Sequence, residues 1–145
     1  SNLTQPEIRE VDINEVFAGA ERQVAGLDLK SNGRIILSSL ERNATGGQTI
    51  KWQRCFGNMP VASAFGVEGT GKDDNNFMGM GPVGREVTAA AGTAVMFVEI
   101  TYEYQPLLYG KLLGPKTIRT TAAFNIREAR DLSGVKAPGT PATCT

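Results

Sequence analysis

The clearest alternation of apolar and polar positions runs from Ala94 to Leu108, AVMFVEITYEYQPLL. Met96, Val98, Ile100, Tyr102 and Tyr104 fall on one side, and Phe97, Glu99, Thr101 and Glu103 on the other. A period of two in β-branched and aromatic residues predicts a strand with one buried face. Pro106 has no backbone donor, so regular pairing should stop near it. A second alternating run, TIRTTAAFNIR, spans Thr117 to Arg127, with Ile118, Ala122, Phe124 and Ile126 on one side and Thr117, Arg119, Thr121, Asn125 and Arg127 on the other. Between them YGKLLGPK carries Gly110, Gly114 and Pro115, which are turn residues. The two runs predict an antiparallel hairpin with a connection longer than a tight turn.

Upstream, Leu3 to Leu29 reads as a helix. Ile8, Ile13, Val16, Phe17, Ala20, Val24 and Leu27 recur at spacings of three and four, with Glu7, Glu10, Glu15, Glu21 and Arg22 opposite. Asp12 followed by Glu15 is a start signal, so the helix begins or restarts near Val11. Gly33 to Arg42 and Gln48 to Phe56 read as a second hairpin about the turn Asn43–Gly47, with Ile50, Trp52 and Arg54 on one face. Residues 59–84 form a long glycine-rich loop without periodicity, expected to be mobile or externally exposed. Val83 to Thr93 fits a short helical turn or a short strand equally well. Residues 128–145 are polar and contain Pro and Gly, which reads as an irregular surface tail. The whole is an α+β, two-layer single domain spanning residues 1–145, its N-terminal amphipathic helix packed on a mainly antiparallel sheet of about four strands.

Composition narrows the chemistry. Hydrophobic residues make up 41%, an ordinary globular share. Lys+Arg and Asp+Glu are 15 each, so no basic excess marks a sequence-independent nucleic-acid partner. There is no histidine, which removes Ser-His-Asp and Cys-His catalysis and histidine metal sites. No apolar run approaches the roughly 18 residues of a membrane span. The opening Ser1-Asn2 looks like the scar of a cleaved tag, so whatever preceded Leu3 lies outside the sequence.

Cys55 and Cys144 read either as two free thiols or as one disulfide. A lone thiol in the tail APGTPATCT has little to pack against, and a disulfide that pins the tail to the strand end accounts for it better. Such a bond closes a long loop and implies an oxidising compartment.

Several motifs raise chemistry and fail on context. Gly66 to Lys72, GVEGTGK, matches the first seven positions of a phosphate-binding loop, but Asp73 stands where magnesium needs Ser or Thr. Glu68, Asp73, Asp74, Asn75 and Asn76 offer oxygens to calcium without EF-hand spacing. Glu99 and Glu103 stand about 13 Å apart by strand rise, farther than a glycosidase pair, and read as a charged surface facing Arg119 and Arg127. Arg127, Glu128, Arg130 and Asp131 read as a solvated strand end, and Asn43-Ala-Thr45 fits a glycosylation sequon. No catalytic, cofactor-binding or metal residue emerges, and the chain does not read as an enzyme.

Four stretches, GRIILSSLE, TIKWQRCFG, AAAGTAVMFVEITYEYQPLL and RTTAAFNIREARDL, carry a resemblance to the TadE-like minor pilins (pseudopilins) of bacterial Tad/Flp pilus systems. The resemblance implies a pilin-like domain on the periplasmic face of the inner membrane, or in the extracellular pilus. It implies a single membrane helix upstream, of which the N-terminal helix here would be the soluble end. It also implies a non-catalytic role through contacts with other pilin or pseudopilin subunits. In that picture Tyr102, Tyr104, Pro106 and Leu107 hold the sheet end in place and are not contacts, and residues 59–84 form the variable recognition surface. The alternative is an extracytoplasmic ligand- or calcium-binding module using residues 66–76.

Overall fold

A computed structural model describes residues 6–126 and 131–144. The chain enters as a short strand, β1 (Glu7–Arg9), and turns directly into helix α1 (Glu10–Gln23). The helix is therefore shorter than the 3–29 span expected, and it is preceded by extended backbone. Arg9 has φ −110° and ψ 152°, and the Asp12 carboxylate reaches back to accept from the Arg9 backbone N–H at 3.3 Å. Asp12 thus acts from inside the first turn, as the acidic partner of a capping box does. A 3-10 turn at Ala25–Leu27 and the single turn α2 (Leu29–Asn32) lead into the sheet.

The sheet has four antiparallel strands in the order β3 (Gln48–Phe56), β2 (Gly33–Arg42), β4 (Ala94–Tyr104), β7 (Lys116–Ile126). The β2–β3 and β4–β7 pairs are the two expected hairpins. The connection of the second carries a short two-stranded ribbon of its own, β5 (Leu107–Leu108) and β6 (Lys111–Leu112). The β4–β7 register pairs Tyr102 with Ile118, Val98 with Ala122 and Met96 with Phe124, so the alternation read from both strands is the one the sheet uses.

One face carries α1. Ile13 and Phe17 pack with Ile35, Leu37, Trp52 and Met96, and Phe17 stacks on Phe56. The opposite face is also buried, contrary to the one-sided sheet expected. Leu40, Ile50, Val95 and Phe97 form a second core with Met80 and Ala89 from the long connection between β3 and β4. That connection is a third layer. Met80 is 0% exposed, so the expectation of a mobile or external loop is corrected for this part, while residues 72–76 at its tip do stay exposed. A bulge at Lys51 divides β3 between the two cores. Ser39 pairs with Trp52 and Leu40 with Ile50, so Ile50 turns to the back face and Trp52 to the helix face. The grouping of Ile50 with Trp52 and Arg54 is corrected accordingly.

The C-terminal segment is not wholly irregular. β8 (Asp131–Lys136) pairs in parallel with β1. Beyond it Ala142 accepts from the Cys55 N–H at 2.8 Å, and Cys144 is bonded to Cys55 across 89 residues. Arg127, Glu128 and Arg130 of the expected charge cluster lie outside the described residues, as do Ser1 and Asn2 and the first residues of the expected helix, Leu3 to Gln5.

Candidate functional site

The glycine-rich stretch 66–76 is laid along the outer edge of β3. Ile50 donates to the Thr70 carbonyl at 2.9 Å, and Gly69 donates back to the Ile50 carbonyl at 2.8 Å. Gly71 has φ +75°, and a Cβ there would strike the Gln48 carbonyl oxygen. Gly79 is in the same position against Val87. These two glycines allow backbone to approach backbone, which is a sufficient reason for them without a phosphate. No helix follows Lys72, so the phosphate-loop match lacks its structural context.

The carboxylates that the sequence offered to calcium are dispersed or occupied. Glu68 accepts from the Gln53 N–H at 2.8 Å and pairs with Arg54 at 3.1 Å. Asp74 accepts from the Asn76 N–H at 2.9 Å in a local turn. Asn75 meets Thr45, and Asn43 donates to the Gly71 and Asp74 carbonyls. Among the described residues no group of three or more acidic, cysteine or histidine side chains is placed to hold a metal ion.

Glu99 departs from the charged-surface reading. It is 7% exposed, beneath the long connection, and accepts from the Ser63 hydroxyl at 2.6 Å and the Ala64 N–H at 2.8 Å. Burial pushes its carboxyl above the usual carboxylate range, against the pull of those two donors. Its cross-strand partner is Thr121, and among the described residues neither Glu99 nor Glu103 forms an ion pair with Arg119. Ser63 Oγ in turn accepts from the Phe65 N–H at 3.1 Å, so the contacts resolved at Glu99 are those of a loop segment clasped to the sheet by one carboxylate.

One cluster escaped the sequence reading. Arg54 binds Glu10 through Nη2 at 2.6 Å and through Nε at 2.8 Å, and its Nη1 reaches Glu68. The hydrogen bond to Glu10 is the leading influence holding Arg54 charged, ahead of the opposing cost of burial. The cluster ties the start of α1, β3 and the long connection at one point, beside the disulfide. Its members are 44 and 14 positions apart, so no local spacing announces it.

The remaining distinctive surface is at the opposite edge. β7 is 11 residues long, pairs with β4 on one side only, and is exposed along nearly its whole length on both faces. Among the described residues no strand pairs with its outer side. Phe124 is 55% exposed and Ile118 51%, although both lie on the apolar face of the alternation. The groove between β7 and α1 measures about 300 Å³ and is lined by Val16, Phe17, Val98, Ile100, Phe124 and Ile126, among others. An unpaired edge beside an apolar groove offers backbone hydrogen bonds and a hydrophobic anchor together, the two parts of strand-addition recognition.

No family model, no curated protein and no solved structure matches this chain.

Proposed function

We propose that this chain is a non-catalytic assembly subunit that works through protein contacts, of the TadE-like minor pilin or pseudopilin kind. The observation that carries the reading is the open β7 edge with Ile118 and Phe124 exposed beside the apolar groove. A long unpaired edge invites aggregation unless a partner covers it. The disulfide agrees with an extracytoplasmic setting, on the periplasmic face of the inner membrane or in an extracellular pilus. The partners in this reading are other pilin-like subunits, and the membrane is reached through a helix upstream of residue 1.

One expectation attached to that reading changes. α1 begins at Glu10 after the extended residues Glu7–Arg9. An upstream membrane helix would join α1 through β1 and its pairing with β8, as a jointed segment and not as one rod. The test is deletion of the gene in its native host, with surface pili counted by electron microscopy. The reading predicts loss of pili, restored by the wild-type gene. Undiminished pilus number and length in the deletion strain would contradict it.

A further inference from the structure

The order of residues in β7 identifies a partner for its open edge. We infer that β7 pairs antiparallel with β7 of a second copy of this chain, about a twofold axis through Thr121, to make one continuous eight-stranded sheet. The inference uses the surface assigned above and does not depend on the pilus assignment.

A twofold axis perpendicular to a sheet pairs residues whose numbers have a constant sum, and that sum must be even for like faces to lie together. Centring on Thr121 engages all of Lys116–Ile126. Ile118 then stands opposite the second copy's Phe124, and the reverse, giving two aromatic–β-branched pairs of a kind that stabilises sheets. Tyr102 already neighbours Ile118 and Met96 neighbours Phe124 within each copy. The new pairing would therefore extend each into a row four side chains wide across the helix face, Tyr102–Ile118–Phe124–Met96.

The rest of the register is compatible. Thr121 meets Thr121, Thr120 meets Ala122, Arg119 meets Ala123 and Thr117 meets Asn125, with Lys116 opposite Ile126 at the two ends of the ladder, so no like charges are opposed. The two buried Glu99 carboxylates would be separated by both copies of Thr121, which is Glu99's cross-strand neighbour. Centring on Thr120 or on Ala122 would shorten the ladder and lose both Ile118–Phe124 pairs, setting Phe124 opposite Lys116 in the first case and opposite Thr120 in the second. A shift that breaks the even sum would turn apolar side chains onto the polar face. The opposite edge of the sheet cannot compete, because Gly69, Thr70 and Ala142 already pair with β3.

The experiment uses the purified chain with its native disulfide intact. Sedimentation velocity over a range of concentrations should show a monomer–dimer equilibrium. Single substitutions Thr120→Cys, Thr121→Cys, Ala122→Cys and, as a control on an unrelated exposed loop residue, Val83→Cys are then oxidised under mild conditions. Mass spectrometry of the linked peptides separates a new bond from exchange with Cys55 or Cys144. The inference expects Thr121→Cys to give a covalent dimer several-fold faster than the other three. Phe124→Asp should shift the equilibrium to monomer with the circular-dichroism spectrum unchanged and, at concentrations where wild type is itself monomeric, the melting temperature close to wild type. Thr121→Cys that links no faster than Val83→Cys, or a chain that stays monomeric at every soluble concentration, would overturn it. A dimer that survives Phe124→Asp unchanged would overturn it as well.

Discussion

β3 and β7 are the two edges of one sheet, and they are finished in opposite ways. β3 is covered along its outer side: Gly69 and Thr70 exchange backbone hydrogen bonds with Ile50, and Ala142 accepts from Cys55. The Cys55–Cys144 bond and the Arg54–Glu10–Glu68 cluster then tie α1, the long connection and the C-terminal segment to the same strand. Among the described residues β7 has its ladder to β4 and no strand on its outer side, and Ile118 and Phe124 face solvent. The contrast is sharpest between two phenylalanines on neighbouring strands: Phe97 is 2% exposed and Phe124 55%. A fold that spends a disulfide, a buried ion pair and a layer of loop on one edge is not short of ways to cover the other. The difference locates stability at β3 and availability at β7.

The largest effect should come from opening the covered edge. Replacing Cys55 and Cys144 together by Ala removes a cross-link spanning 89 residues, for which the chain-entropy argument gives about 4–5 kcal/mol as an upper figure. Chemical denaturation of the double variant against wild type measures it. Next, Arg54→Ala leaves Glu10 buried without its cation. Removing one partner of a buried pair costs about 3 kcal/mol or more. A loss of that size in the same measurement, with Glu10→Gln in the Arg54→Ala background restoring part of it, would show that the stranded charge is the cause.

A smaller effect concerns pH. The folded-state pKa of Glu99 is raised, chiefly by burial, so the folded protein holds that proton more tightly than the unfolded chain does. The resulting stability is complete below the ordinary glutamate range and is lost as pH rises through the raised folded-state value. Stability should therefore fall with rising pH across that window, and Glu99→Gln should flatten the fall. Glu41, also raised chiefly by burial, leaves a residual slope. Urea unfolding at a series of pH values reads both. The smallest effect on stability belongs to the open edge: Phe124→Asp should stay within about 0.5 kcal/mol of wild type, because the side chain it replaces is largely in water already.

Much of this arrangement could be read from residue order, and the limits are instructive. β4 and β7 were legible because Met96–Tyr104 and Thr117–Ile126 alternate at period two, and the register joins the apolar sets of both. The back face was not legible. The layer over it is held by side chains reaching from the sheet to loop backbone: Gln48 both donates to and accepts from Ala89, and Gln53 donates to Gly66. A glutamine that clamps a loop 41 positions away leaves no periodic trace. The burial of Glu99 follows from that layer, so the glutamate looked like a solvated one. Ile50 and Trp52 are two apart and should share a face; the bulge at Lys51 separates them, and only the pairing with β2 reveals it. The open edge itself was invisible for a different reason. Alternation shows which side chains share a face, but not which strand will lie last in the sheet.

Amide hydrogen exchange, followed residue by residue at low and at high protein concentration, tests the asymmetry most directly. The β3 amides that bond to β2, to Thr70 or to Ala142 should be protected at both concentrations. In β7 the alternate amides that point away from β4 should exchange freely when dilute and slow markedly when concentrated. Outward β7 amides protected equally at both concentrations, or unprotected at both, would contradict the account.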